Sequence, residues 1–346
     1  MATSIIGTGG DYTTITAWEA ALPATLTEPA IGLLKGEDFS ENVTFAGVTT
    51  SAANYIELRP QAGAEHRGLS ENHNDSPGGI AKVVGLTSGT ATILITSVNH
   101  VRLLDFEILG GGAASATRHG INLSGSFSGS NIRCLRLLIY NDGGNPSSNS
   151  RGIAVQISTA NVTVGRCIIY NFGGPGINYT AGTLACNNNT VVGCNRSGVA
   201  TINQINITAT AGSFFNNVAC NPNGGKDFTD APGIPAGNLA SHNASSDTTA
   251  PGGTNAMWSI VAADNFNDAT TGDITLADLR IKQTSPIRNR GTFQTENFAI
   301  AVRGNRVRGT WDIGADEYPT TVFWRPPQFR PHVRRPGWLR SSRRVN

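Results

Sequence analysis

The sequence predicts an all-β fold in which parallel strands coil into a solenoid, and three observations indicate it. Glycine accounts for 41 of the 346 residues and charged residues for only 14%, a composition typical of short strands joined by tight turns. Similar strand segments recur along the chain at a nearly constant spacing. Helical periodicity is almost absent between residues 30 and 220. A hydrophobic content of 39% is too high for a disordered chain.

The repeats set the expected pairing of the strands. "HVRLLDFEI" (100–108) aligns with "NIRCLRLLI" 31 residues later, and "NIRCLRLLIY" (131–140) aligns with "NVTVGRCIIY" 30 residues later. Weaker copies follow at 186–194 and 212–220. Repeats of this length, with several short strands each, stack coil on coil around one apolar interior. In the first copy, alternation predicts that Leu104, Phe106 and Ile108 face inward and that Asp105 and Glu107 lie outside.

Asparagine is expected to shape the coils. It tolerates the left-handed backbone of sharp corners, and stacked Asn side chains can bond between successive coils. The residues expected to act as corner or ladder residues, rather than site residues, are Asn131, Asn161, Asn188, Asn189, Asn216 and Asn217.

The two ends of the solenoid need covers, because an open coil exposes strand edges and apolar interior. The best helical segment, "TTITAWEAAL" (13–22), should place Ala17, Trp18, Ala21 and Leu22 on one buried face and plug the first coil.

The ends also carry a resemblance. "GTGGDYTTITAWEAAL" followed by "GEDFSENVTF" is similar to the beginning of right-handed parallel β-helix proteins of the pectin-lyase-like superfold. "DLRIKQTSPIRNRGTF" (278–293) and "RGTWDIGADEY" (308–318) resemble the closing segment of many such β-helices, which ends in "D-I-G-A-x-E". The resemblance implies a right-handed parallel β-helix of the kind found in phage virions. The superfold hosts lyases, hydrolases, esterases and non-enzymatic proteins, so the fold alone does not assign a function.

The expected organisation has three parts. Residues 1–24 form an N-terminal strand and capping helix. Residues 25–318 form the β-helix, including an irregular region at 221–277, for which a disordered linker is the alternative, and the closing segment at 278–318. Residues 319–346 form an arm rich in Arg, Pro and aromatic residues.

The closing segment is interpreted as structural. Trp311 and Ile313 are expected to pack on the final coil. The three carboxylates Asp312, Asp316 and Glu317 are expected to pair with arginines drawn from Arg288, Arg290, Arg303 and Arg308.

No catalytic, cofactor-binding or metal-binding residue is assigned. Inverting glycosidases need two carboxylates about 6.5–9.5 Å apart, and the chain has no Asp-Asp pair and no "NTD"; its nearest motif to "GHG" is "RHG" (118–120). "RIK" (280–282) mimics a substrate-binding element of polygalacturonases, but the closing-segment resemblance accounts for it. Asp227 and Asp230 have no partner nearby in sequence. Acids on adjacent coils could still form a site that the sequence does not reveal.

Histidine and cysteine do not indicate a metal site. The six His are scattered without metal-ligand spacing. The five Cys lie in or beside apolar strands and are interpreted as free, buried side chains, with metal or disulfide use as the alternatives. They suggest a reducing compartment.

The C-terminal arm is the expected docking element. The last 25 residues hold seven Arg and no acid, which leaves 19 basic against 24 acidic residues in the rest of the chain. Proline blocks helix and central strand here, so the arm should lie extended over a partner, with aromatic anchors and Arg forks. The predicted docking residues are Phe323, Trp324, Arg325, Phe329, Arg330, Arg334, Arg335, Trp338 and Arg340. A solvated basic tail and a nucleic-acid-binding tail are the alternatives; nucleic acid is the less favoured partner.

These features favour a non-enzymatic structural or adhesive phage virion protein, such as a capsid decoration, tail fibre or spike. Its partners would be other virion proteins through 319–346, with self-association and a host surface glycan as further partners and no membrane. The expected location is the virion, since the N-terminus carries no signal-like segment. The alternative is a carbohydrate-active enzyme, either a polysaccharide lyase or a glycoside hydrolase, or a carbohydrate-binding protein.

Overall fold

The computed structural model is a right-handed parallel β-helix of about seven turns. It describes residues 2–66, 79–87, 89–110, 117–141, 147–156, 160–180, 182–208, 211–220, 225–229, 239–251, 255–268, 278–292 and 312–315. Three parallel sheets run along its length, and six consecutive coils each give one strand to every sheet. The fold class predicted from the sequence is confirmed.

The strands divide among the sheets in chain order. The nine-stranded sheet contains β1 Ala2–Ile6, β2 Ala30–Leu34, β5 Ile56–Pro60, β8 Val101–Leu104, β11 Ile132–Leu135, β14 Asn161–Gly165, β17 Thr183–Asn187, β20 Ala211–Phe215 and β22 Leu239–Ser241. The eight-stranded sheet contains β3 Asp38–Ser40, β6 Lys82–Val84, β9 Glu107–Gly110, β12 Leu138–Asn141, β15 Ile168–Tyr170, β18 Thr190–Val192, β21 Val218–Cys220 and β23 Ala244–Ser245. The six-stranded sheet contains β4 Val43–Ala46, β7 Ala91–Thr96, β10 His119–Ser124, β13 Ile153–Val155, β16 Ile177–Tyr179 and β19 Ile205–Ile207. The remaining elements are α1 Ile15–Ala20, α2 Ala262–Asn265 and the antiparallel pair β24 Phe266–Asp268 and β25 Asp278–Ile281.

The spacing of the sequence repeats equals the offset between paired residues on adjacent strands. Leu103 pairs with Cys134 in the nine-stranded sheet, 31 residues on, and Cys134 pairs with Val164, 30 residues on. Stacked positions on one strand face therefore fill the same layer of the interior. The inward layer of this sheet is Leu58, Leu103, Cys134, Val164, Cys186, Phe214. All five cysteines are free and buried, and burial raises their thiol pKa values, so they act as small apolar side chains.

One corner of the coil is left-handed in every turn from the third coil onward. Between the nine- and eight-stranded sheets the backbone takes a positive φ, between 53° and 66°, at Asp105, Arg136, Arg166, Asn188, Asn216 and His242. The residue after each corner points into the interior and is at most 1% exposed; these residues are Phe106, Leu137, Cys167, Asn189, Asn217 and Asn243. The predicted corner roles of Asn188 and Asn216 agree with this geometry.

The last three of these inward residues form a ladder of buried amides. The Nδ2 of Asn189 donates to Oδ1 of Asn217 at 3.0 Å, and Nδ2 of Asn217 donates to Oδ1 of Asn243 at 3.0 Å. The backbone N–H groups of Asn189 and Asn217 donate to the same Oδ1 atoms of the next coil. Asn243 ends the ladder, because its Nδ2 donates to the carbonyl of Pro251 at 2.9 Å. Asn189 and Asn217 are therefore ladder residues, as predicted.

The ladder and corner role is wrong for two other asparagines. Asn131 accepts at Oδ1 from Nε of Arg133 at 3.1 Å on the outer surface. Asn161 begins β14 with an exposed side chain, and its backbone N–H donates to Oγ of Ser130 at 2.8 Å. Asn131 lies just ahead of a strand and Asn161 is the first residue of one, so neither follows a left-handed corner and neither side chain enters the interior.

The N-terminal helix covers the first coil, as expected, but through a different face. Ile15 and Trp18 are the buried residues, while Ala17 and Ala21 are exposed and Leu22 is partly buried. Trp18 packs edge-on against Phe45, with ring centroids 6.5 Å apart. The carboxylate of Glu41 accepts from the N–H of Ile15 at 2.8 Å, which ties the first turn of the helix to the coil below.

A second apolar core lies outside the solenoid. The outward residues of the eight-stranded sheet are covered by the C-terminal segment, which contributes side chains such as Phe266, Ile281, Ile287 and Ile313. Ile313, expected to pack on the final coil, is buried in this outer core together with Ala244 of that coil. The Gly314 N–H donates to the carbonyl of Asn216, which places this stretch along the side of the solenoid. It lies there because the outward face of the sheet is itself apolar and needs a cover.

Of the predicted acid pairs, only Asp312 is described. It is buried, and its Oδ1 accepts from the backbone N–H of Asn289 at 2.6 Å. Asp316, Glu317, Trp311, Arg303 and Arg308 lie outside the described residues. The three-part division of the chain stays a prediction, although β22 and β23 within 221–277 extend two of the sheets.

The ladder yields a stability prediction. Asn217→Ala should lower the free energy of unfolding by about 2–4 kcal/mol, because several buried donors and acceptors lose their partner at once. Asn161→Ala is the matched control and should change it by less than about 0.5 kcal/mol. Urea unfolding monitored by circular dichroism measures both, and equal effects would contradict the ladder's structural role.

Candidate ligand-binding face

Charged side chains line up on the outer face of the nine-stranded sheet. Glu57, Arg102 and Arg133 occupy the same position on three adjacent strands, β5, β8 and β11. Adjacent strands lie about 4.8 Å apart, so the register holds these side chains in a row along the solenoid. We call the group formed by Tyr55, Glu57, Arg59, His100, Arg102 and Arg133 the arginine face.

Contacts within the arginine face hold its side chains in place. Arg59 Nε lies 3.3 Å from Oε1 of Glu57, and Arg102 Nη1 lies 3.6 Å from Oε2 of the same carboxylate. The guanidinium carbon of Arg102 sits 3.4 Å from the centre of the Tyr55 ring, a cation–π contact. The orientation of Arg102 is therefore fixed from two sides.

Positive charge exceeds negative charge on this face, since it holds three guanidinium groups and one carboxylate, and only Arg59 and Arg102 contact that carboxylate. Burial, and then the neighbouring Arg102, lower the pKa of Arg133, an effect that Tyr55 opposes. Burial and the neighbouring Arg102 likewise lower the pKa of His100. The face can therefore bind an anion, and guanidinium forks suit carboxylate and sulfate groups.

The same outer face continues as a neutral polar track. Arg133 is followed in register by Thr163, and Ser213 lies two strands further on. Asn161 and Thr183 are paired beside them and exposed. Hydroxyl and amide groups of this kind can bond to the hydroxyl groups of a sugar.

A depression of about 400 Å³ opens beside the arginine face and shares Arg59 with it. Its other lining residues are Leu33, Pro60, Gln61, Ala62, Glu65 and Asp105. Asp105 is held by Arg136 of the next coil, whose Nη2 lies 2.7 Å from its Oδ2. The predicted outward position of Asp105 agrees with the structure.

Glu107 differs from the expectation that it lies outside. It does point away from the solenoid interior, but its side chain is fully buried, and Tyr140 Oη donates to its Oε1. Tyr140 in turn stacks on Tyr170, with ring centroids 5.3 Å apart. Alternation along a strand does not reveal that an outer face is covered.

Alternation correctly predicted that Phe106 and Ile108 face inward, but it was wrong for Leu104, which is partly exposed while Leu103 enters the interior. The left-handed corner at Asp105 interrupts the alternation there.

A pair of carboxylates near the C-terminal end of the solenoid was not found from the sequence. Asp227 accepts at Oδ2 from N and Oγ of Ser246 and at Oδ1 from Nε2 of Gln204, all at 2.5–2.6 Å. Its backbone N–H donates to Oδ2 of Asp247 at 3.0 Å, and Oδ1 of Asp247 accepts from Thr249. Because the partners lie about twenty residues away, on the next coil, spacing within one loop could not reveal them.

These bonds fold residues 246–251 across the open end of the interior. Ala250 joins the main core and is 4% exposed. Burial raises the pKa of Asp227 to about 6, while the hydrogen bonds from Ser246 work against that rise. Both carboxylates are occupied by donors from this closing loop, so their observed role is to fix the end of the solenoid.

The described residues of the other motifs considered in the sequence analysis, "RHG" and "RIK", have structural roles. Arg118 and His119 of "RHG" are buried. Lys282 donates from Nζ to the carbonyl of Ala263 and so ties β25 to α2; the side chain of Arg280 lies outside the described residues. Among the residues that the structure describes, no three His, Cys, Asp or Glu are grouped to hold a metal ion, and no helix is long and apolar enough to span a membrane.

The predicted docking residues could not be placed. Asp230 and all nine arm residues, from Phe323 to Arg340, lie outside the described part of the chain. The docking role of the arm therefore stays a prediction.

Comparison with known proteins gives a likeness to solved structures alone. No family model and no curated protein sequence matches the chain. Seven chains of known structure match. One is the crystal structure of pectate lyase Pel9A, with a TM-score of 0.48 and 12% sequence identity, covering 92% of this chain and 97% of that chain.

The raised pKa of Asp227 predicts a pH dependence of stability. The folded state retains a proton up to about pH 6, whereas an unfolded Asp loses it near pH 4. Protonated Asp227 thus stabilises the folded state by on the order of 3 kcal/mol. This stabilisation is fully present below about pH 4 and is lost as the pH rises through about 6.

Asp227→Asn should remove this slope, leaving a constant penalty for the altered hydrogen bonds. Denaturant midpoints measured between pH 3.5 and 7.5 test it, with exposed Asp264→Asn as the control. If the wild type and Asp227→Asn gave parallel curves, Asp227 would not be the titrating group.

Proposed function

We propose that the protein is a non-enzymatic structural and adhesive virion protein of a phage, such as a capsid decoration, tail fibre or spike. The β-helix is its rigid body, the arginine face binds an acidic host-surface glycan, and residues 319–346 dock onto another virion subunit. The observation that carries the proposal is the excess of guanidinium groups held in register on the outer face of the nine-stranded sheet.

Pre-organisation supports a binding role for this face. Arg102 is held by both Glu57 and Tyr55 before any ligand arrives, so less side-chain entropy is lost on binding. Arg133 is stacked one strand further along and is anchored through Nε to Asn131. The Nη groups of both arginines can then bond to carboxylate or sulfate oxygens on successive units of a glycan.

The bonding of the buried carboxylates supports a structural rather than a catalytic body. Glu107 accepts from Tyr140, while Asp227 and Asp247 accept from the closing loop. A catalytic acid or base must exchange protons with a substrate, whereas these groups serve contacts between coils. The continuous amide ladder adds stiffness along the same axis.

Glycan binding tests the proposal directly. The protein should bind a polyuronate or a sulfated glycan and leave a neutral glucan unbound, and 0.5 M salt should weaken binding. Arg102→Gln and Arg133→Gln should each weaken it about tenfold, since each removes one charge-assisted contact. Isothermal titration calorimetry provides the measurement.

Arg196→Gln is the matched control, because it removes an exposed charge that is not part of the arginine face. Equal losses of glycan affinity in all three variants would show that net charge alone accounts for the effect. Equal binding to the neutral glucan would exclude the arginine face as the binding surface. Release of shortened glycan during the titration would replace the adhesive proposal with the carbohydrate-active alternative.

The arm needs its own experiment. Deletion of 319–346 should abolish incorporation into particles while the melting temperature of the purified protein stays unchanged. Trp324→Ala with Trp338→Ala should reduce incorporation at least tenfold if the aromatic anchors carry the docking energy. Ser341→Ala with Ser342→Ala is the control within the arm. Unchanged incorporation after deletion would refute the docking role.

A further inference from the structure

A second cluster of cationic groups lies at a different corner of the solenoid, where the chain enters the six-stranded sheet. Arg118 immediately precedes β10 and His119 begins it, while Arg151 lies just ahead of β13 on the next coil. The Gly120 N–H donates to the carbonyl of Arg151 at 2.9 Å, and Ser150 Oγ donates to the carbonyl of Arg118 at 2.5 Å. We call Arg118, His119 and Arg151 the cationic corner.

Two residues of the cationic corner are buried, Arg151 is partly buried, and one nitrogen of each side chain has no partner. Arg118 is 5% exposed and His119 is 4% exposed. Nε of Arg118, Nδ1 of His119 and Nε of Arg151 are all shielded from solvent and have no hydrogen-bond partner. Arg118 makes one bond through its guanidinium, from Nη1 to the carbonyl of Leu86 at 2.7 Å. Buried polar groups are normally satisfied, so three unused nitrogens at one corner require an explanation.

The electrostatics of the corner are also uncompensated. Burial, and then the charge of Arg151, lower the pKa of His119 to about 4. The pairing of β10 with β13 and the bond from Gly120 N–H to the Arg151 carbonyl place the two residues on adjacent coils. Burial lowers the pKa of Arg151 as well. No carboxylate among the described residues acts on either group. A buried cation without a counter-ion carries a desolvation penalty that a bound anion would offset.

We propose that the cationic corner is a binding site for a small inorganic oxyanion, sulfate or phosphate. Its oxygens would accept from Nε of Arg151, Nδ1 of His119 and Nε of Arg118, which satisfies all three unused nitrogens. Sulfate and phosphate match guanidinium groups in charge and geometry. The site is independent of the arginine face, because it lies at another corner and uses other residues.

Sulfate is the probe for the test, with chloride at equal ionic strength as the reference. In 0.5 M sodium chloride, which screens the exposed arginine face, one sulfate should still bind per chain in calorimetry. The melting temperature should rise by about 2 °C at a tenfold excess of sulfate over its dissociation constant. Sulfate should also raise the pKa of the His119 imidazole, read by NMR, because the anion favours the protonated ring. Phosphate should give the same three effects, and acetate should give weaker ones.

Arg151→Gln should abolish the sulfate response and, in chloride, should melt at or above the wild-type temperature, because a partly buried charge without a counter-ion has been removed. His119→Asn is the second variant and should weaken sulfate binding by at least threefold without loss of folding. Arg196→Gln, which removes an exposed charge outside both clusters, should respond to sulfate as the wild type does. A wild-type protein whose melting temperature and His119 pKa respond equally to sulfate and chloride would overturn the site. So would an undiminished sulfate response in Arg151→Gln.

Discussion

The left-handed corner between the nine- and eight-stranded sheets is the constraint on which the rest of the molecule depends. At each of six stacked corners one residue takes a positive φ, and the following side chain turns into the interior. The left-handed region is disfavoured for residues with a Cβ and is best tolerated by Asn and Asp. Arg136 and Arg166 nevertheless adopt it, so the stacking of neighbouring coils overrides local preference at those two corners.

The column of inward residues that follow the corners contains apolar side chains in the earlier coils and amide side chains in the later ones. Near the N-terminal coils it is filled by Phe106, Leu137 and Cys167, which pack as apolar side chains. Further along the same column Asn189 and Asn217 take over, and each amide bonds to the next coil at the stacking distance. An amide is tolerated in the interior because its neighbours above and below satisfy it completely. Asn243 ends the column on a loop carbonyl, which is why the ladder and the closing loop meet.

The three outer faces then differ according to their side chains. The eight-stranded sheet is apolar outside and is covered by the C-terminal segment. The six-stranded sheet carries uncharged polar pairs, such as Asn206 donating to Asn178 at 2.8 Å. The nine-stranded sheet carries the arginine face. Since strand register fixes every outward position, a substitution on one coil places its side chain beside a known neighbour on the next.

Sequence reasoning reached what depends on local chemistry and periodicity. The spacing of "NIRCLRLLIY" and "NVTVGRCIIY" predicted the pairing of β11 with β14, and the asparagine pairs predicted two corners and two ladder residues. It missed what depends on contacts across coils. Glu107 is buried by what covers its sheet, and Asp227 is held by Ser246 of a later coil. The stretch that follows Ile313 bonds to coils more than 90 residues earlier, through Gly314 to Asn216 and Ala315 to Thr190. None of these partners leaves a mark in the local pattern.

The arginine face also leaves no local pattern in the sequence, for a physical reason. Its charged side chains, Glu57, Arg102 and Arg133, come from three coils and are isolated in sequence, so no single segment looks basic. The cationic corner is likewise assembled from two coils, but Arg118 and His119 are buried there, whereas the arginines of the arginine face are exposed or partly exposed. Screening by salt acts on solvent-exposed charges far more than on buried ones. Raising the chloride concentration should therefore weaken anion binding at the arginine face at lower salt than at the cationic corner. A single salt titration then distinguishes the two sites.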